Sequence, residues 1–404
     1  MSEHLLDLKE PQKLGVRVRE AREARGWTQL QMAERLGMAR TTVVAIEKGE
    51  RRLKPHELFE IASCLGRSVS ELLQRTTPVE GLVVQLREAL PASLAGVEIL
   101  PGIEELQCFC EDYVRIEEIC RAPLRRRYPT EYDIGGTDPV FAAEDVATAE
   151  RSRLGLGEGP LLNLRDILEA DAGLRIFQLV LPFRVEGMYV LTQSAGGCIA
   201  VNLGHSLERR RESLAHEYGH FLTARYRAEV TLEDRYERRP AGERFAEAFA
   251  RAFLLPAAGL RRRFLELERE RSQGATLGDL LRLAHLYAVS MQAVTGRLEE
   301  LRLLPAGTWA RLARRSFQVP AVPQLLKLDP VHPEDEPFSS RYVALAIEAW
   351  QQAELSESEL ARILRTDRLG ARDRVQRFQP DAADADHGNE SIDLGASLLR
   401  AVGH

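Results

Sequence analysis

Four of the five glycines in the first 75 residues separate apolar stretches, and their spacing constrains the fold more than any other feature of the chain. Gly26, Gly37, Gly49 and Gly66 separate stretches in which apolar residues recur every three or four positions. That recurrence is the pattern of an amphipathic helix. Because helices this short are not stable alone, the pattern predicts five short helices packed around one small core.

The residues around the second break favour a helix-turn-helix. Thr28 stands where an N-cap is expected, as Ser68 does further on, and Gly37 lies where a tight turn needs a positive φ. The segment is also basic, with 13 Lys/Arg against 8 Asp/Glu between Lys13 and Arg75, while the whole chain carries −6. A basic module on an acidic body is typical of a protein that binds DNA through one part only.

Three motifs of this segment, GWTQ from Gly26, AERLG from Ala33 and IEKG from Ile46, resemble the lambda-repressor-like (XRE) helix-turn-helix family over about 60 residues. The resemblance implies that the third helix, from Arg40 to Lys48, enters the major groove of a double-stranded DNA operator. It implies base contacts by Arg40, Thr41 and Thr42, and phosphate contacts by Gln29, Lys48, Arg51 and Arg52. The alternative is that these are ordinary surface residues of a helical bundle.

Strand-forming residues follow in the middle of the chain. Residues 174–180, 188–192 and 196–202 are rich in β-branched and aromatic residues and are separated by Pro182, Gly187 and Gly196–Gly197. They predict a small, largely antiparallel sheet within an otherwise mainly helical α+β protein. Its edge near Ile199 to Asn202 could hold an extended substrate by main-chain pairing.

A His-Glu-x-x-His motif comes directly after these strands, in the stretch RESLAHEYGHFL. His216 and His220 are four residues apart and project from one helix face, so two imidazoles can reach one zinc ion. Glu217 lies about 100° around the helix, which suits a base that takes a proton from a water activated by the metal. Tyr218 points away and is expected in the core, and Gly219 lets the next element pack closely.

A third ligand distinguishes a zinc site from a histidine pair that merely contacts neighbouring carboxylates. The segment after residue 241 carries a stripe of Phe245, Phe249 and Phe253, while Glu243 and Glu247 share another face with small alanines. Either glutamate could complete a His2Glu site with water in the fourth position.

The motif LAHEYGHFL followed by E-x-x-A-x-x-FA-x-x-x-LLP resembles the ImmA/IrrE family of metallopeptidases over roughly residues 139–260. The resemblance implies a zincin-like fold, a Zn²⁺ cofactor and cleavage of DNA-binding repressors in stress, mobile-element or defence control. It places the third ligand on Glu243. The family often has Asn where this chain has Glu247, which therefore could compete as a ligand, bind another group or be solvated.

His205, in VNLGHSLERRR, is a further accessory candidate because a nearby histidine could stabilise a tetrahedral intermediate. The alternative is a loop histidine without a role.

The remaining segments complete the predicted organisation. At 404 residues the chain is too long for one core, and two or three domains are expected. The predicted parts are an XRE domain at 10–76, a helical linker region at 77–138, a peptidase domain with a helical extension at 139–305, a Pro-rich linker at 306–337, a helical module at 338–379 and a disordered tail at 380–404. The helical module could regulate the protein or form a homodimer.

The location is predicted from what the sequence lacks. No stretch approaches 18 uninterrupted apolar residues and the N-terminus has no signal-peptide pattern, so no membrane partner and a cytoplasmic location are expected. The five cysteines form no CxxC pair and no disulfide framework.

The predicted function is a DNA-binding regulator with a zinc endopeptidase domain that cleaves a partner transcriptional repressor. A transcription factor whose zinc domain is a non-catalytic sensor or dimerisation module is the alternative, and a defence-system controller that uses both activities is a third possibility.

Overall fold

The computed structural model describes residues 11–51, 53–65, 69, 72, 81–90, 98–233, 240–269, 275–314 and 337–378. The chain divides into two compact units, Met1–Thr77 and Pro78–His404.

The described part of the first unit consists of helices with the predicted breaks: α1 (Pro11–Ala24), α2 (Gln29–Leu36), α3 (Arg40–Glu47) and α4 (Pro55–Leu65). Thr28 caps α2, since its hydroxyl accepts a hydrogen bond from the Gln31 amide at 3.2 Å. Gly37 has a φ of +63°, which confirms the left-handed residue expected in the turn. Ser68 and most of the predicted fifth helix lie outside the described residues.

The apolar stripes of these helices form one core, with Val18, Met32, Val43 and Ile61 at most 2% exposed. Helix α1 passes very close to the end of α3. At Gly15, an added Cβ would lie 2.4 Å from the carbonyl oxygen of Ile46, so the approach requires a glycine. This packing fixes α3, the predicted recognition helix, on the surface of a rigid bundle.

The described part of the second unit contains four strands and most of the described helices. In chain order these are α5 (Leu82–Glu88), α6 (Leu100–Ile119), α7 (Pro139–Arg153), α8 (Leu164–Ile167), β1 (Arg175–Leu179), β2 (Val185–Thr192), β3 (Gly196–Asn202), α9 (Leu207–Thr223), β4 (Glu229–Leu232), α10 (Ala241–Leu254), α11 (Ala257–Arg269), α12 (Leu277–Tyr287), α13 (Met291–Glu300), α14 (Thr308–Ala313), α15 (Ser340–Gln351), α16 (Glu357–Ile363) and α17 (Arg368–Phe378). One π-helical turn, Leu168–Ala172, follows α8.

The strands form one mixed sheet in the order β1-β3-β2-β4. Strand β2 pairs antiparallel with β3 and with β4, as expected for most of the sheet. Strand β3 also pairs parallel with β1, with Ile199 opposite Ile176. The parallel pair arises because β3 inserts between β1 and β2 after two reversals of the chain.

Both faces of this sheet are covered. Ile199 and Val201 belong to a core shared with α7, α9, α10, α12 and α13, while Cys198 and Ala200 belong to a core shared with α5, α6 and α15 to α17. Alternate residues of β3 therefore enter different cores, and all seven are buried. The sheet is the layer that separates the two cores of the unit.

The predicted partition of the second unit into a linker region, a peptidase domain and a C-terminal module differs from the structure. Tyr113 of α6 contacts Tyr342 of α15 with 4.9 Å between ring centroids, and Asp112 pairs with Arg362 at 3.0 Å. Residues 98–138 and 337–378 thus complete the second core, because a sheet with two apolar faces must be covered on both. In the predicted Pro-rich linker, Thr308–Ala313 is helical, and residues 315–336 and the predicted tail lie outside the described residues.

Candidate metal centre and nucleic-acid interface

Helix α9 carries the two histidines of the His-Glu-x-x-His motif. It begins after Ser206, whose side chain accepts a hydrogen bond from the Arg209 amide at 3.4 Å. His216 and His220 lie one turn apart on the same face, and their Nε2 atoms are 3.0 Å from each other. Helical spacing alone therefore brings two ligand atoms to one point.

Helix α10 supplies the third side chain of this cluster. The carboxylate oxygens of Glu243 lie 3.4 Å from Nε2 of His216 and 3.3 Å from Nε2 of His220. A tetrahedral zinc ion with bonds of about 2.0–2.1 Å holds its ligand atoms about 3.3 Å apart. The two histidine nitrogens and the two carboxylate oxygens of Glu243 therefore lie close to the spacing that such an ion requires. The close approach depends on Gly219, where a Cβ would lie 3.2 Å from the Cα of Ala246.

The charges within the cluster reinforce one another. Burial raises the pKa of the Glu243 carboxyl, but hydrogen bonds from His216 and His220 outweigh it and hold the pKa well below its usual range. Burial lowers the pKa of His220, yet Glu243 and Glu217 more than reverse this, so the pKa of His220 is raised. Protonation of His220 is therefore favoured in the metal-free cluster, and a divalent cation would compete with that proton.

Glu217 lies beside the cluster and is completely buried. Neither of its carboxylate oxygens has a hydrogen-bond partner among the described residues. Burial raises the pKa of Glu217 to about 8, against the opposing effect of the nearby His220. The side chain reaches this position because β2 has Gly187 there, where a Cβ would lie 2.8 Å from Oε1 of Glu217. A buried, unpaired carboxyl with a pKa near neutrality is suited to accept and release a proton.

A cleft of about 1040 Å³ opens beside these residues. His216 and Glu243 lie in its wall, together with residues of β2, β4, α9, α10, α13 and α14. Glu247 also lines the cleft, but it is outside the three-residue cluster and its carboxylate pairs with Arg251 at 3.4 Å. Of the two glutamates considered as third ligand, the structure brings Glu243 to the histidines.

The predicted substrate edge at Ile199 to Asn202 is wrong. These residues belong to β3, whose main chain is paired with β1 on one side and β2 on the other. Strand β4 is instead the edge of the sheet on the side of the cleft, and its residues 229–232 line the cleft wall. Strand β4 is not among the strands predicted from the sequence, although the alternation in Glu229-Val230-Thr231-Leu232 is a recognisable strand signal.

His205 is buried away from the metal cluster. One ring nitrogen contacts the Phe183 carbonyl oxygen at 2.8 Å and the other, Nδ1, has no hydrogen-bond partner among the described residues. Since His205 is not among the residues that line the cleft, the geometry favours a structural contact with the 180–184 loop over a catalytic role. Tyr218 is in the core, as predicted.

In the first unit, Gln29 takes part in an internal network. Its amide donates a hydrogen bond to Glu47 at 2.9 Å, and Glu47 pairs with buried Arg22 at 2.6 Å. This network ties the start of α2 to the end of α3. Gln29 therefore positions the two helices of the motif, and its phosphate contact stays a prediction.

The remaining DNA-contact candidates have different surroundings. Arg40, Thr41 and Lys48 are exposed at the two ends of α3, and Thr42 is half-buried. Arg51 pairs with Glu57 at 2.6 Å, so a phosphate would have to compete with that carboxylate. Arg52 lies outside the described residues.

Comparisons with known families agree with both motifs. A family model described as helix-turn-helix matches residues 18–72, and one described as the IrrE N-terminal-like domain matches residues 171–299. The chain joins a helix-turn-helix domain to an IrrE N-terminal-like domain. The second match starts later than the predicted 139 and continues past 260, so it includes the two helices α12 and α13.

Other comparisons add little. No curated protein matches the chain. Two solved structures of ComR align with it, one from Streptococcus suis over 90% of this chain and 87% of that chain, and the apo form from S. thermophilus over 94% and 98%. Both alignments have 13% identity and a TM-score of 0.15, values that carry no conclusion about fold or function. Among the described residues, no helix has the length and apolar character needed to cross a membrane.

Proposed function

We propose that this protein is a DNA-binding regulator whose IrrE-like domain is a zinc-dependent endopeptidase that cleaves a partner transcriptional repressor. One observation carries the proposal: His216, His220 and Glu243 converge beside the buried, unpaired carboxyl of Glu217, at the wall of a cleft large enough for a peptide. A His-His-Glu set leaves one position open, as catalytic zinc sites do.

Each side chain has a distinct role in this proposal. His216, His220 and Glu243 would hold the ion, which when bound supplies Lewis-acid activation of water and of a peptide carbonyl. Glu217 would take the proton of the attacking water and later deliver it to the amine nitrogen of the leaving peptide. In the metal-free protein the pKa of Glu217 is raised to about 8, and a cation bound beside it would lower that pKa and favour the carboxylate that a general base requires. A substrate strand would pair with the main chain of β4 at the edge of the sheet.

In this proposal the protein acts in the cytoplasm, and its helix-turn-helix domain binds the operators of particular genes. A repressor that is bound to the same operator region would be the substrate of the peptidase domain. A stress, mobile-element or defence response is the setting in which the removal of a repressor is useful. Selection of random-sequence duplex DNA by the full-length protein would reveal the operator. Replacing Thr41 and Thr42 together by Ala should abolish the selection, and retained selection would contradict the assignment of α3 as the recognition helix.

The peptidase proposal is tested on the purified full-length protein. Metal analysis should find about one zinc per chain, with loss in His216→Ala and retention in Glu217→Gln. If a small helix-turn-helix repressor is encoded beside its gene, incubation with that repressor should yield a defined cleavage product by mass spectrometry. Absence of zinc, or equal cleavage by Glu217→Gln, would overturn the proposal.

One observation favours the alternative of a non-catalytic sensor. Glu217 has no exposed surface, so a water molecule reaches its carboxylate only if the edge of the cleft moves. In that case zinc removal by a chelator should change DNA affinity more than about tenfold, with no proteolysis under any condition. Dimerisation through the IrrE-like domain would then depend on zinc as well, which sedimentation measures directly.

A further inference from the structure

The cleft beside the metal cluster is strongly acidic. Among the described residues, eight glutamates line it, against two arginines. Only one of the eight, Glu243, belongs to the metal cluster. A divalent cation held there would therefore leave most of the negative charge unbalanced.

Both arginines of the cleft are already engaged by carboxylates. Arg209 pairs with Glu186 at 3.1 Å and with Glu233 at 2.9 Å. Arg251 pairs with Glu300 at 2.5 Å as well as with Glu247. The positive charge in the described part of the cleft wall is therefore paired within that wall and does not offset the other glutamates there.

Glu229 is the first residue of the edge strand β4 and lines the cleft. Val230 packs into the core on the far face of the sheet, so the alternation of a strand turns Glu229 and Thr231 towards α9. Thr231 pairs with Gly187, the residue against which Glu217 packs, which confirms the direction of this face. Glu229 has one ion pair in the described chain, at 3.7 Å to Arg227, a side chain that is 79% exposed.

A second, independent feature indicates a polar ligand in the same cleft. Ser213 lies on α9 one turn before His216 and is 3% exposed, yet its hydroxyl has no hydrogen-bond partner among the described residues. The residue lines the cleft. A buried hydroxyl without a partner is costly, and the main chain of a bound peptide would satisfy it.

We propose that this cleft selects a basic peptide segment, in which Lys or Arg side chains of an extended strand paired with β4 meet Glu229 and Glu208. The proposal rests on the proposed peptide substrate of this site and adds its chemical class. A lysine or arginine side chain gains from several carboxylates in a partly enclosed cleft, whereas an acidic segment is repelled.

Peptide binding tests this without turnover. The probe is a 12-residue peptide with Lys and Arg at alternate positions, compared with the same peptide carrying Gln there, by fluorescence anisotropy on zinc-loaded full-length Glu217→Gln protein. The basic peptide should bind at least about tenfold more tightly at low salt, and the difference should shrink at about 0.5 M salt as the charges are screened. Equal affinities at low salt would overturn the proposal.

Two double variants locate the effect. Glu208→Gln with Glu229→Gln should weaken the basic peptide about tenfold, which corresponds to about 1.4 kcal/mol, and leave the Gln peptide unchanged. Glu118→Gln with Glu354→Gln removes the same charge from exposed positions outside the cleft and should stay within about twofold of the parent. An equal loss in both double variants would show that net charge, and not the cleft, attracts the peptide.

Cleavage by the wild-type protein separates this inference from the peptidase proposal. If the basic peptide binds in the cleft but is never cut, the selectivity stands and the peptidase proposal fails. If peptides are cut in a Glu217-dependent manner without preference for Lys or Arg, the peptidase proposal stands and the selectivity fails.

Discussion

Glu150 and Glu217 are two equally buried carboxylates, but their surroundings are opposite. Glu150, on α7, is fully buried and accepts hydrogen bonds from Tyr132 at 2.9 Å, Tyr218 at 2.5 Å and Arg153 at 2.7 Å. Glu217, on α9 itself, is equally buried and accepts none from the described residues.

The contrast is informative because Tyr218 and Glu217 are neighbours in sequence. The helical period sends Tyr218 into the core to satisfy Glu150 and sends Glu217 to the sheet beside the metal cluster. A buried carboxylate with three donors holds a structure together, whereas one without donors lowers stability and is retained where its chemistry is used. One helix therefore separates a structural region from a reactive one.

The largest expected effect is on cleavage. Glu217→Gln should reduce peptide cleavage about 10²–10⁴-fold, because a general base is lost, with zinc retained because its three ligands are intact. The measurement is product formation together with metal content. Glu150→Gln is the control and should keep its cleavage rate per folded molecule. Equal losses of cleavage in both variants would contradict the assignment of a catalytic role to Glu217 and a structural role to Glu150.

The next effect is the pH dependence of stability in the metal-free protein. Since the pKa of Glu217 is about 8 in the folded state and near 4.5 when unfolded, the unfolded chain releases this proton first as pH rises. The free energy of unfolding should therefore fall between pH 4.5 and 8, by about 2–5 kcal/mol from this group. Urea unfolding in the presence of a chelator should show that the free energy of unfolding of Glu217→Gln rises relative to that of the wild type as the pH increases through that window. A constant difference between the two would contradict the raised pKa.

Glu150→Gln should destabilise the second unit by about 2–4 kcal/mol, because Arg153 loses its charged partner and the amide nitrogen of Gln cannot accept one of the two hydrogen bonds that the Tyr132 and Tyr218 hydroxyls donate. Urea unfolding at pH 7 measures the change. Replacement of both Glu150 and Tyr218, with Tyr218→Phe, should cost less than the sum of the single changes because the two side chains interact. Additive costs would mean that the hydrogen bond between them contributes little.

The smallest effect concerns the strand that faces Glu217. Gly187→Ala should cost about 1–3 kcal/mol and lower cleavage, because the added Cβ lies 2.8 Å from the Glu217 carboxylate and 3.2 Å from the Ala200 carbonyl oxygen. Zinc content should not change. Gly159→Ala is the control, since its Cβ would meet nothing within 4 Å and its φ is not positive. A neutral Gly187→Ala would show that Glu217 has room to move.

Much of the site could be predicted from the sequence because it depends on local geometry. The four-residue spacing of His216 and His220 places them on one face of any helix, and the helix-turn-helix follows from caps and a left-handed glycine within a short segment. Whether Glu243 or Glu247 meets the histidines depends on the rotation of α10 against α9. That rotation is set by the contact between Gly219 of α9 and Ala246 of α10, two residues that belong to different elements.

The sequence by itself determined the two motifs, the helices that carry them and the α+β class, because periodicity and capping act over a few residues. Tertiary structure alone decided that β3 is central, that β4 forms the edge beside the cleft and that the C-terminal helices complete the second core. It also decided that Glu217 is buried without a partner. These properties arise from contacts between residues far apart in the chain, and pairing and burial across such distances leave no signature in a local stretch of sequence.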